Sequence, residues 1–322
     1  MRQDQYKVLI IGLGKIGLQY DLGLNPKKFI LTHARAFSAH QDFILVGGID
    51  SCAVSRGMFE KEYRCPSYRS IEEAQNLGVD IAVVATPTNT HYEITVELLE
   101  KFNPKAILCE KPLAYSLEEA KRITEYCSRK QSLLFVNYIR RSDISSSMIQ
   151  TMIRSGEIQT PLKGVCWYTK GVYNNGSHFI NLLELWFGEV TGVKSLNKAK
   201  KRGDDFDVDI IAHYGSSDII FLSTEEKNYS NYSIELISPS GRLLYGCGGY
   251  RISWQKQINH PDIANYRTLE DTGTTIYSEF NRAQANVVDQ LAQGLKGAAT
   301  NLCTGEAAVQ TNNVLERIRI DF

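Results

Sequence analysis

Hydrophobic residues in the first part of the chain lie in short continuous runs, the pattern of strands that are buried on both faces of a sheet. The first run, residues 7–11, contains four consecutive large aliphatic residues. Segments with helical spacing separate the later runs, which are residues 43–49, 79–85, 106–109 and 133–136. This alternation of strands and helices predicts an α/β domain built on a parallel sheet.

Polar residues in this region mark where helices begin. Ser70 followed by Glu73, and Ser116 followed by Glu119, have the spacing of a capping box, in which the serine side chain binds a free N–H group of the first turn. The first pair predicts a short helix and the second pair a longer one. A further helix is expected over residues 91–101.

After about residue 140 the pattern changes, because apolar and polar residues alternate along each strand-like segment. Alternation at hairpin-length spacing predicts a mainly antiparallel sheet with two different faces. The predicted strands of this half are residues 165–168, 206–210, 219–222, 233–236, 242–245 and 251–254. The predicted helices are residues 145–154, 176–187, 278–296 and 305–318. The pattern of the second half therefore predicts an α+β domain with a large open sheet.

The glycines after the first strand have the spacing G-x-G-x-x-G. In a dinucleotide site, Gly12 permits a tight turn, Gly14 lets the backbone approach a pyrophosphate, and Gly17 lets the next helix pack closely. The pyrophosphate would lie on the first N–H groups of that helix. A plain α/β turn is the alternative, but the context favours a Rossmann domain. The expected cofactor contacts in this loop are Gly12, Leu13, Gly14, Lys15, Ile16 and Gly17.

The second strand ends at Asp50, an acid that is suited to bind the two hydroxyls of an adenosine ribose. Its carboxylate would repel the 2′-phosphate of NADP, and Arg56 is the nearby cation that could weaken this preference. We therefore expect NAD as cofactor, with NADP less favoured. The predicted domains are residues 1–122, which bind the dinucleotide, and 123–322, which bind substrate and form oligomers. The last helix, 305–318, could pack back on the first domain.

Asp50 lies further along the chain than the roughly 20 residues that usually separate this acid from the glycine motif. The additional residues are 18–32, where Asp21, Gly23 and Pro26 interrupt any helix, and the helical pattern resumes at His33. We interpret 18–32 as an inserted loop at the mouth of the cofactor site. It could be a lid, a substrate contact or a simple surface excursion.

Composition restricts the class of protein. The 322 residues carry a formal net charge of +0, which argues against nucleic acid or an anionic membrane as a general partner. No apolar stretch reaches the roughly 18 residues that span a bilayer. The seven cysteines contain no C-x-x-C pair, so we expect reduced thiols in a cytoplasmic protein and no metal site. The open sheet needs a cover on its second face, and a homodimer or homotetramer through the C-terminal sheet is the expected one, with helices as the alternative cover.

Two further motifs follow the glycine loop: Thr86-Pro87 with His91, and Glu110-Lys111-Pro112. In this order and spacing, the three motifs resemble the Gfo/Idh/MocA oxidoreductases over nearly the whole chain. Residues 171–181 resemble the second catalytic segment of that family. The resemblance implies an NAD(P)-dependent dehydrogenase that joins an N-terminal Rossmann domain to a C-terminal α+β sheet domain.

The resemblance also implies roles for individual residues. Oxidation of a secondary alcohol needs a hydride acceptor and a base, and Lys111 and His178 are the expected catalytic residues. The Lys111–Pro112 bond can be cis and would then aim the lysine. Further cofactor contacts are expected from Thr86, Pro87, Thr88, His91, Glu110 and Lys111. Expected substrate contacts are Lys111, Tyr138, Arg141, Tyr173, Asn174, Asn175, His178 and Asn181, although structural roles for Tyr138, Arg141, Tyr173 and Asn175 are equally open.

Family members carry aspartates where this chain has Asn174 and Asn181, and an amide cannot accept a proton. We expect an oxidoreductase that acts on a secondary alcohol or ketone of a sugar or nucleotide-sugar. The sequence around His178 resembles branches that serve surface-polysaccharide sugar metabolism. One alternative is a free-sugar or inositol dehydrogenase. Another is a non-catalytic regulator that senses a dinucleotide or sugar on the same fold.

Overall fold

A computed structural model describes residues 5–320 of the chain. Its eighteen strands, within this range, are β1 (Tyr6–Ile11), β2 (Phe43–Ile49), β3 (Ser67–Tyr68), β4 (Ile81–Val84), β5 (Ala106–Cys109), β6 (Leu133–Val136), β7 (Lys163–Tyr168), β8 (Gly192–Ser195), β9 (Lys200–Arg202), β10 (Asp205–Asp207), β11 (Ile210–Tyr214), β12 (Ser217–Ser223), β13 (Ser233–Ser238), β14 (Gly241–Gly246), β15 (Arg251–Asn259), β16 (Arg267–Leu269), β17 (Thr274–Ile276) and β18 (Cys303–Thr304). The α-helices of the same range are α1 (His33–Ala39), α2 (Ala53–Tyr63), α3 (His91–Lys101), α4 (Leu117–Arg129), α5 (Ile144–Arg154), α6 (Ser177–Phe187), α7 (Ala283–Leu295) and α8 (Gly305–Ile320).

The chain folds into two compact units. The first contains the residues up to Ser142 together with Asn281–Asn312, and the second contains Asp143–Phe280 together with the residues from Asn313 onward. The first unit extends beyond the predicted boundary at residue 122 because β6 pairs in parallel with β5. No helix among residues 5–320 is long and apolar enough to cross a membrane.

The first unit is built on a sheet with the strand order β18-β6-β5-β4-β1-β2-β3. Its neighbouring strands run parallel, apart from the short antiparallel pair β18–β6. Val8 and Ile10 of β1 pack on one side in a cluster with residues of α1 and α7. Leu9 and Ile11 pack on the other side with residues of α3 and α4. Residues 8–11 are thus buried on both faces, Lys7 is exposed, and the predicted Rossmann domain is confirmed.

The second unit is built on a larger sheet with the order β16-β15-β14-β13-β7-β12-β11-β8, and β17 also pairs with β15. Adjacent strands are antiparallel except for β7 and β12. One face packs against α5 and α6 in a single core that includes Cys166, Phe179 and Leu236. The predicted α+β unit with a mainly antiparallel sheet is confirmed.

Two local predictions differ from the structure. The Ser116 capping box is formed, because the Ser116 hydroxyl accepts the N–H of Glu119 at 3.2 Å. The Ser70 box is wrong: residues 71–76 form successive turns, and the carboxylate of Glu73 binds the N–H of Arg69 at 2.8 Å instead. The predicted strand 206–210 is divided between β10 and β11, because the N–H of Val208 turns away to the Tyr168 hydroxyl at 3.1 Å.

Candidate functional site

The glycine loop follows β1 where the strand order of the first sheet reverses, the usual ligand site of such sheets. Gly12 has a φ of +99°, and a Cβ there would lie 2.4 Å from the carbonyl oxygen of Ala85. A Cβ at Gly17 would lie 2.0 Å from the carbonyl oxygen of Gly12. A Cβ at Gly14 would meet nothing within 4 Å. Gly12 and Gly17 therefore allow close backbone packing, whereas Gly14 borders open space.

The helix expected after this loop is a single π-helical turn, Lys15–Gln19. The N–H groups of Leu18 and Gln19 both donate to the carbonyl of Gly14, at 2.9 and 3.1 Å. The predicted insertion follows this turn, and regular helix resumes only at α1, whose first turn is capped by the Thr32 hydroxyl. The N–H groups available to a pyrophosphate are therefore those of one short turn.

The insertion is anchored by Asp21, whose side chain is fully buried. Its carboxylate accepts the N–H of Leu31 at 2.7 Å, the N–H of Thr32 at 3.0 Å and the Thr32 hydroxyl at 2.8 Å. The tip is also tied down, because the side-chain amide of Asn281 donates to the carbonyl of Lys28 at 2.7 Å. Both the base and the tip of the loop are therefore fixed within the first unit.

Asp50 follows β2 and binds the glycine loop itself. Its carboxylate accepts the N–H of Leu13 at 2.7 Å and the N–H of Cys52 at 2.8 Å. The guanidinium of Arg56 donates to the backbone carbonyls of Asp50 at 2.7 Å and Ser51 at 3.0 Å. Arg56 is therefore engaged with the main chain, and the Asp50 carboxylate lies beside the glycine loop.

Glu110 follows β5, and its side chain is only 12 % exposed. Its Oε1 lies 2.8 Å from Nε2 of His33 and accepts a hydrogen bond of 2.6 Å from the Asn137 amide. Burial tends to raise the pKa of Glu110. The hydrogen bonds from His33 and Asn137 and the electrostatic effect of His33 and Lys111 outweigh burial, so this pKa lies below its usual range. Glu110 is therefore held as a carboxylate directly before Lys111.

The Lys111–Pro112 peptide bond is cis. Lys111 is partly buried. The lysine thus follows a carboxylate whose position is fixed from two sides.

His91 braces the turn at Thr86, Pro87 and Thr88. Its buried ring lies with Nε2 3.0 Å from the carbonyl of Thr86 and Nδ1 3.1 Å from the carbonyl of Leu113. Burial lowers the pKa of His91, which favours the neutral ring. Because a neutral imidazole has one N–H, His91 then donates to one of these two carbonyls, and both ring nitrogens face the protein. Thr86 and Thr88 remain partly exposed and Pro87 exposed.

The two predicted substrate residues after β6 have different settings. Tyr138 is buried within the core on the α3 and α4 side of the first sheet. Arg141 is partly buried, and its Nε donates to the carbonyl of Asn301 at 3.1 Å.

The remaining predicted residues lie together in the second unit. A π-helical turn, Val172–Gly176, leads directly into α6, whose second residue is His178. His178 is 7 % exposed and Asn181, one turn later, is fully buried. The amide of Asn175 donates to the carbonyl of Thr169 at 2.8 Å and to the hydroxyl of Tyr232 at 3.1 Å.

Tyr173 and Asn174 differ in exposure. The ring of Tyr173 is buried edge-on to Phe206, with 5.7 Å between the ring centroids, whereas Asn174 is exposed. Burial raises the pKa of Tyr173 to about 12, so its phenol keeps its proton at neutral pH.

The structure therefore gathers the glycine loop, Asp50 and Glu110 at the carboxyl ends of parallel strands in the first unit. His33 and Asn137 belong to this group, and the sequence reasoning did not identify them. The available signal was Glu110 itself, because a carboxylate at the end of a buried strand requires hydrogen-bond donors.

In residues 5–320 no group of three or more His, Cys, Asp or Glu side chains could hold a metal ion.

Residues 6–138 match the model of the GFO_IDH_MocA family, described as an oxidoreductase family with an NAD-binding Rossmann fold. The chain is 29% identical over 160 residues to scyllo-inositol 2-dehydrogenase (NAD(+)) of Bacillus subtilis strain 168, a match that covers 50% of this chain and 43% of that enzyme. It is 29% identical over 152 residues to inositol 2-dehydrogenase of Rhizobium meliloti strain 1021, covering 46% of this chain and 41% of that enzyme. The chain thus spans less than half the length of these curated relatives.

Similarity to solved structures extends over the whole chain. The WlbA dehydrogenase from Bordetella pertussis, solved with NADH and UDP-GlcNAcA, has a TM-score of 0.78 at 18% identity, covering 100% of this chain and 96% of that one. UDP-N-acetylglucosamine 3-dehydrogenase GnnA from Acidithiobacillus ferrooxidans has a TM-score of 0.75 at 16% identity, covering 99% of this chain and 98% of that one. At these identities the similarity establishes the fold of both units.

Proposed function

Because residues 6–138 match the Gfo/Idh/MocA family model, we propose that the chain is a member of that family and an NAD(H)-dependent oxidoreductase. It transfers a hydride to or from a secondary alcohol or ketone of a sugar or nucleotide-sugar. One observation carries this proposal. Glu110, a carboxylate held by His33 and Asn137, is followed by the partly buried Lys111, and both lie at the same edge of the sheet as the glycine loop.

The loop fits a dinucleotide. Gly14 has no side chain and borders open space that a pyrophosphate could occupy. Gly12 and Gly17 let the loop backbone pack closely against the carbonyls of Ala85 and Gly12. The N–H groups of the loop and of its short helical turn would bind the pyrophosphate, and Asp50 would bind the ribose diol. The bound nicotinamide supplies the hydride acceptor or donor.

NAD is favoured over NADP. The Asp50 carboxylate would repel a 2′-phosphate on the ribose that it is proposed to bind, and Arg56 is engaged by backbone carbonyls. Fluorescence titration with NADH and NADPH tests this preference. We expect tighter binding of NADH, and tighter binding of NADPH by the wild-type protein would refute the assignment.

Lys111 is the proposed proton acceptor for the substrate hydroxyl, and it returns the proton in the reverse reaction. His178 is the second proposed catalytic residue and would bind or share a proton with the reacting oxygen. Asn174 and Asn181 cannot accept protons, so their proposed role is to orient hydroxyl groups through amide hydrogen bonds. Orientation alone contributes much of the acceleration of a two-substrate reaction.

Two substrate classes are supported by different relatives. The inositol dehydrogenases share sequence with part of this chain, and the UDP-sugar dehydrogenases share its fold over the full length. We place a nucleotide-sugar first, and a free sugar or inositol second. The seven cysteines are free thiols, which supports a reducing compartment such as the cytoplasm.

The test of function is a redox assay. The protein is incubated with NAD⁺ and with myo-inositol, scyllo-inositol, UDP-N-acetylglucosamine or UDP-GlcNAcA, and the absorbance of the reduced nicotinamide is followed. Turnover of one compound identifies the class. Saturable binding of one of these alcohols without reduction of NAD⁺, at every pH, would instead indicate a sensor.

Self-association is proposed through the face of the second sheet that is turned away from α5 and α6. This face carries exposed apolar side chains, among them Trp167 on β7 at 38% and Ile237 on β13 at 51% exposure. Apolar side chains on an open sheet face favour pairing with a second copy. Light scattering should show a dimer or tetramer that dissociates in a Trp167→Lys/Ile237→Lys variant. The exposed Met58 of α2, changed to lysine, is the control that should leave the mass unchanged.

A further inference from the structure

The hairpin formed by β9 and β10 holds the segment that leads into α6. Asp205, the first residue of β10, accepts the backbone N–H of Tyr173 on Oδ1 and the N–H of Asn174 on Oδ2, both at 2.9 Å. Oδ1 also accepts the N–H of its neighbour Phe206 at 2.7 Å. Both oxygens of this carboxylate are therefore engaged with backbone donors.

The hairpin approaches this segment so closely that a side chain is excluded at Gly171. Gly171 has a φ of +86°, and a Cβ there would lie 2.1 Å from Oδ2 of Asp205. The N–H of Gly171 donates at 3.0 Å to a second carboxylate of the hairpin, that of Asp207. Two aspartates of one hairpin thus bind three N–H groups within four residues, which fixes the path of the backbone.

Ion pairs hold the hairpin in turn. Arg202 of β9 lies 3.8 Å from the carboxylate of Asp207 and also pairs with Glu226. Glu226 also forms an ion pair with Lys170, whose Nζ lies 2.9 Å from Oε1 of Glu226. Lys170 directly precedes Gly171, so this network connects the hairpin to the same segment. Such exposed pairs contribute little individually, and the Asp205 and Asp207 contacts with the backbone are the principal attachment.

We propose that Asp205 is a positioning residue for substrate. Its carboxylate fixes the backbone at Tyr173 and Asn174 and thereby the amide of Asn175 and the start of α6. A carboxylate supplied by a different strand thus orders a segment in which positions 174 and 175 carry amides and no carboxylate. This inference rests on the proposed function, because it takes the segment as part of the substrate site.

The test compares Asp205→Asn with the matched control Asp204→Asn, which changes the exposed neighbouring aspartate. The asparagine keeps one acceptor oxygen and replaces the other by an NH₂ group that faces a backbone N–H. One of the two bonds to the N–H groups of Tyr173 and Asn174 is therefore lost. Hydrogen–deuterium exchange of a peptide that contains Tyr173 and Asn174 should become about tenfold faster or more in Asp205→Asn only. Unchanged exchange would overturn the proposal.

The same variants are then assayed with the compound that the wild-type protein oxidises. We expect KM to rise about tenfold in Asp205→Asn while the dissociation constant of NADH stays within roughly twofold. A site that was only destabilised would lose kcat in proportion to the folded fraction and keep its KM. Faster exchange with an unchanged KM would therefore also overturn the positioning role.

The outcome can be separated from that of the proposed function. If the wild-type protein oxidises none of the four compounds, the redox proposal fails, and calorimetric binding of UDP-N-acetylglucosamine replaces KM as the readout. The expected weakening in Asp205→Asn is the same, about tenfold. A wild-type protein that neither oxidises nor binds any of the four compounds overturns the substrate role of the hairpin together with the proposed function.

Discussion

Replacing Gly14 by alanine should separate cofactor binding from stability. The residue has φ −78° and ψ −153°, an extended conformation open to alanine, and the added Cβ would meet nothing within 4 Å. A glycine-to-alanine change at such a position stabilises a fold by about 0.4–1 kcal/mol, because the unfolded chain loses freedom. Unfolding in urea should therefore show Gly14→Ala to be at least as stable as the wild type.

The affinity for NADH should fall in the same variant, because the Cβ would fill the space assigned to the pyrophosphate. Loss of one hydrogen bond from a backbone N–H to a charged phosphate costs about 1.5–3 kcal/mol. This corresponds to a dissociation constant that is roughly ten to 150 times larger, measured by fluorescence titration. Gly14→Ala protein that is folded and binds NADH as tightly as the wild type would refute the placement of the pyrophosphate.

Two other glycines supply the controls. Gly57 lies in α2, and a Cβ there also meets nothing within 4 Å, so Gly57→Ala should be as stable as the wild type or more so and bind NADH normally. At Gly12 the Cβ would lie 2.4 Å from the Ala85 carbonyl and the φ is +99°. Backbone strain of about 1–3 kcal/mol and overpacking of a similar size should make Gly12→Ala clearly less stable.

Lys111→Met should lower turnover by about 10²–10⁴-fold while the NADH dissociation constant changes by no more than a few-fold, and near-normal turnover would mean that the lysine is structural. His178→Ala should slow turnover severely, whereas a change of Asn181 to Asp should shift the pH profile of kcat without abolishing activity. Glu110 has a folded-state pKa below that of the unfolded chain, so its ionised form stabilises the fold at pH above the unfolded pKa, and this contribution is lost as the pH falls through the folded pKa. Urea unfolding of Glu110→Gln should therefore show a loss of stability at neutral pH that shrinks in acid, and a loss independent of pH would contradict this origin.

Features that depend on neighbouring residues could be predicted from the sequence. The buried run of β1, the glycine loop and the acid at the end of β2 are all encoded within short segments. The structure adds a bond from the carboxylate of Asp50 to the N–H of Leu13, 37 positions away. This bond agrees with the strand ends meeting at one edge of the sheet.

Features that depend on distant residues could not be predicted. His33 and Glu110 are 77 positions apart, and nothing local to either residue indicates the other. Asp205 binds the N–H of Tyr173 across 32 positions, from a hairpin whose strands have only three residues each. The Ser70 box shows the opposite case: the local pattern predicted a capped helix, but the Glu73 carboxylate binds the N–H of Arg69 and the segment forms turns.

The order of the chain has a consequence for its synthesis. The chain leaves the first unit after Ser142, returns at Asn281 and leaves again after Asn312, within the continuous helix α8. Val287 and Val288 of α7 complete one core of the first unit, and Leu315 and Ile318 of α8 belong to the core of the second. Domains usually fold one after another as they emerge from the ribosome, the N-terminal one first. Here the core of the first unit cannot close until α7 has been made, and that of the second unit cannot close until α8 has been made. A nascent chain that stops at Ser142 would therefore carry an uncovered apolar sheet face, the kind of surface that molecular chaperones bind.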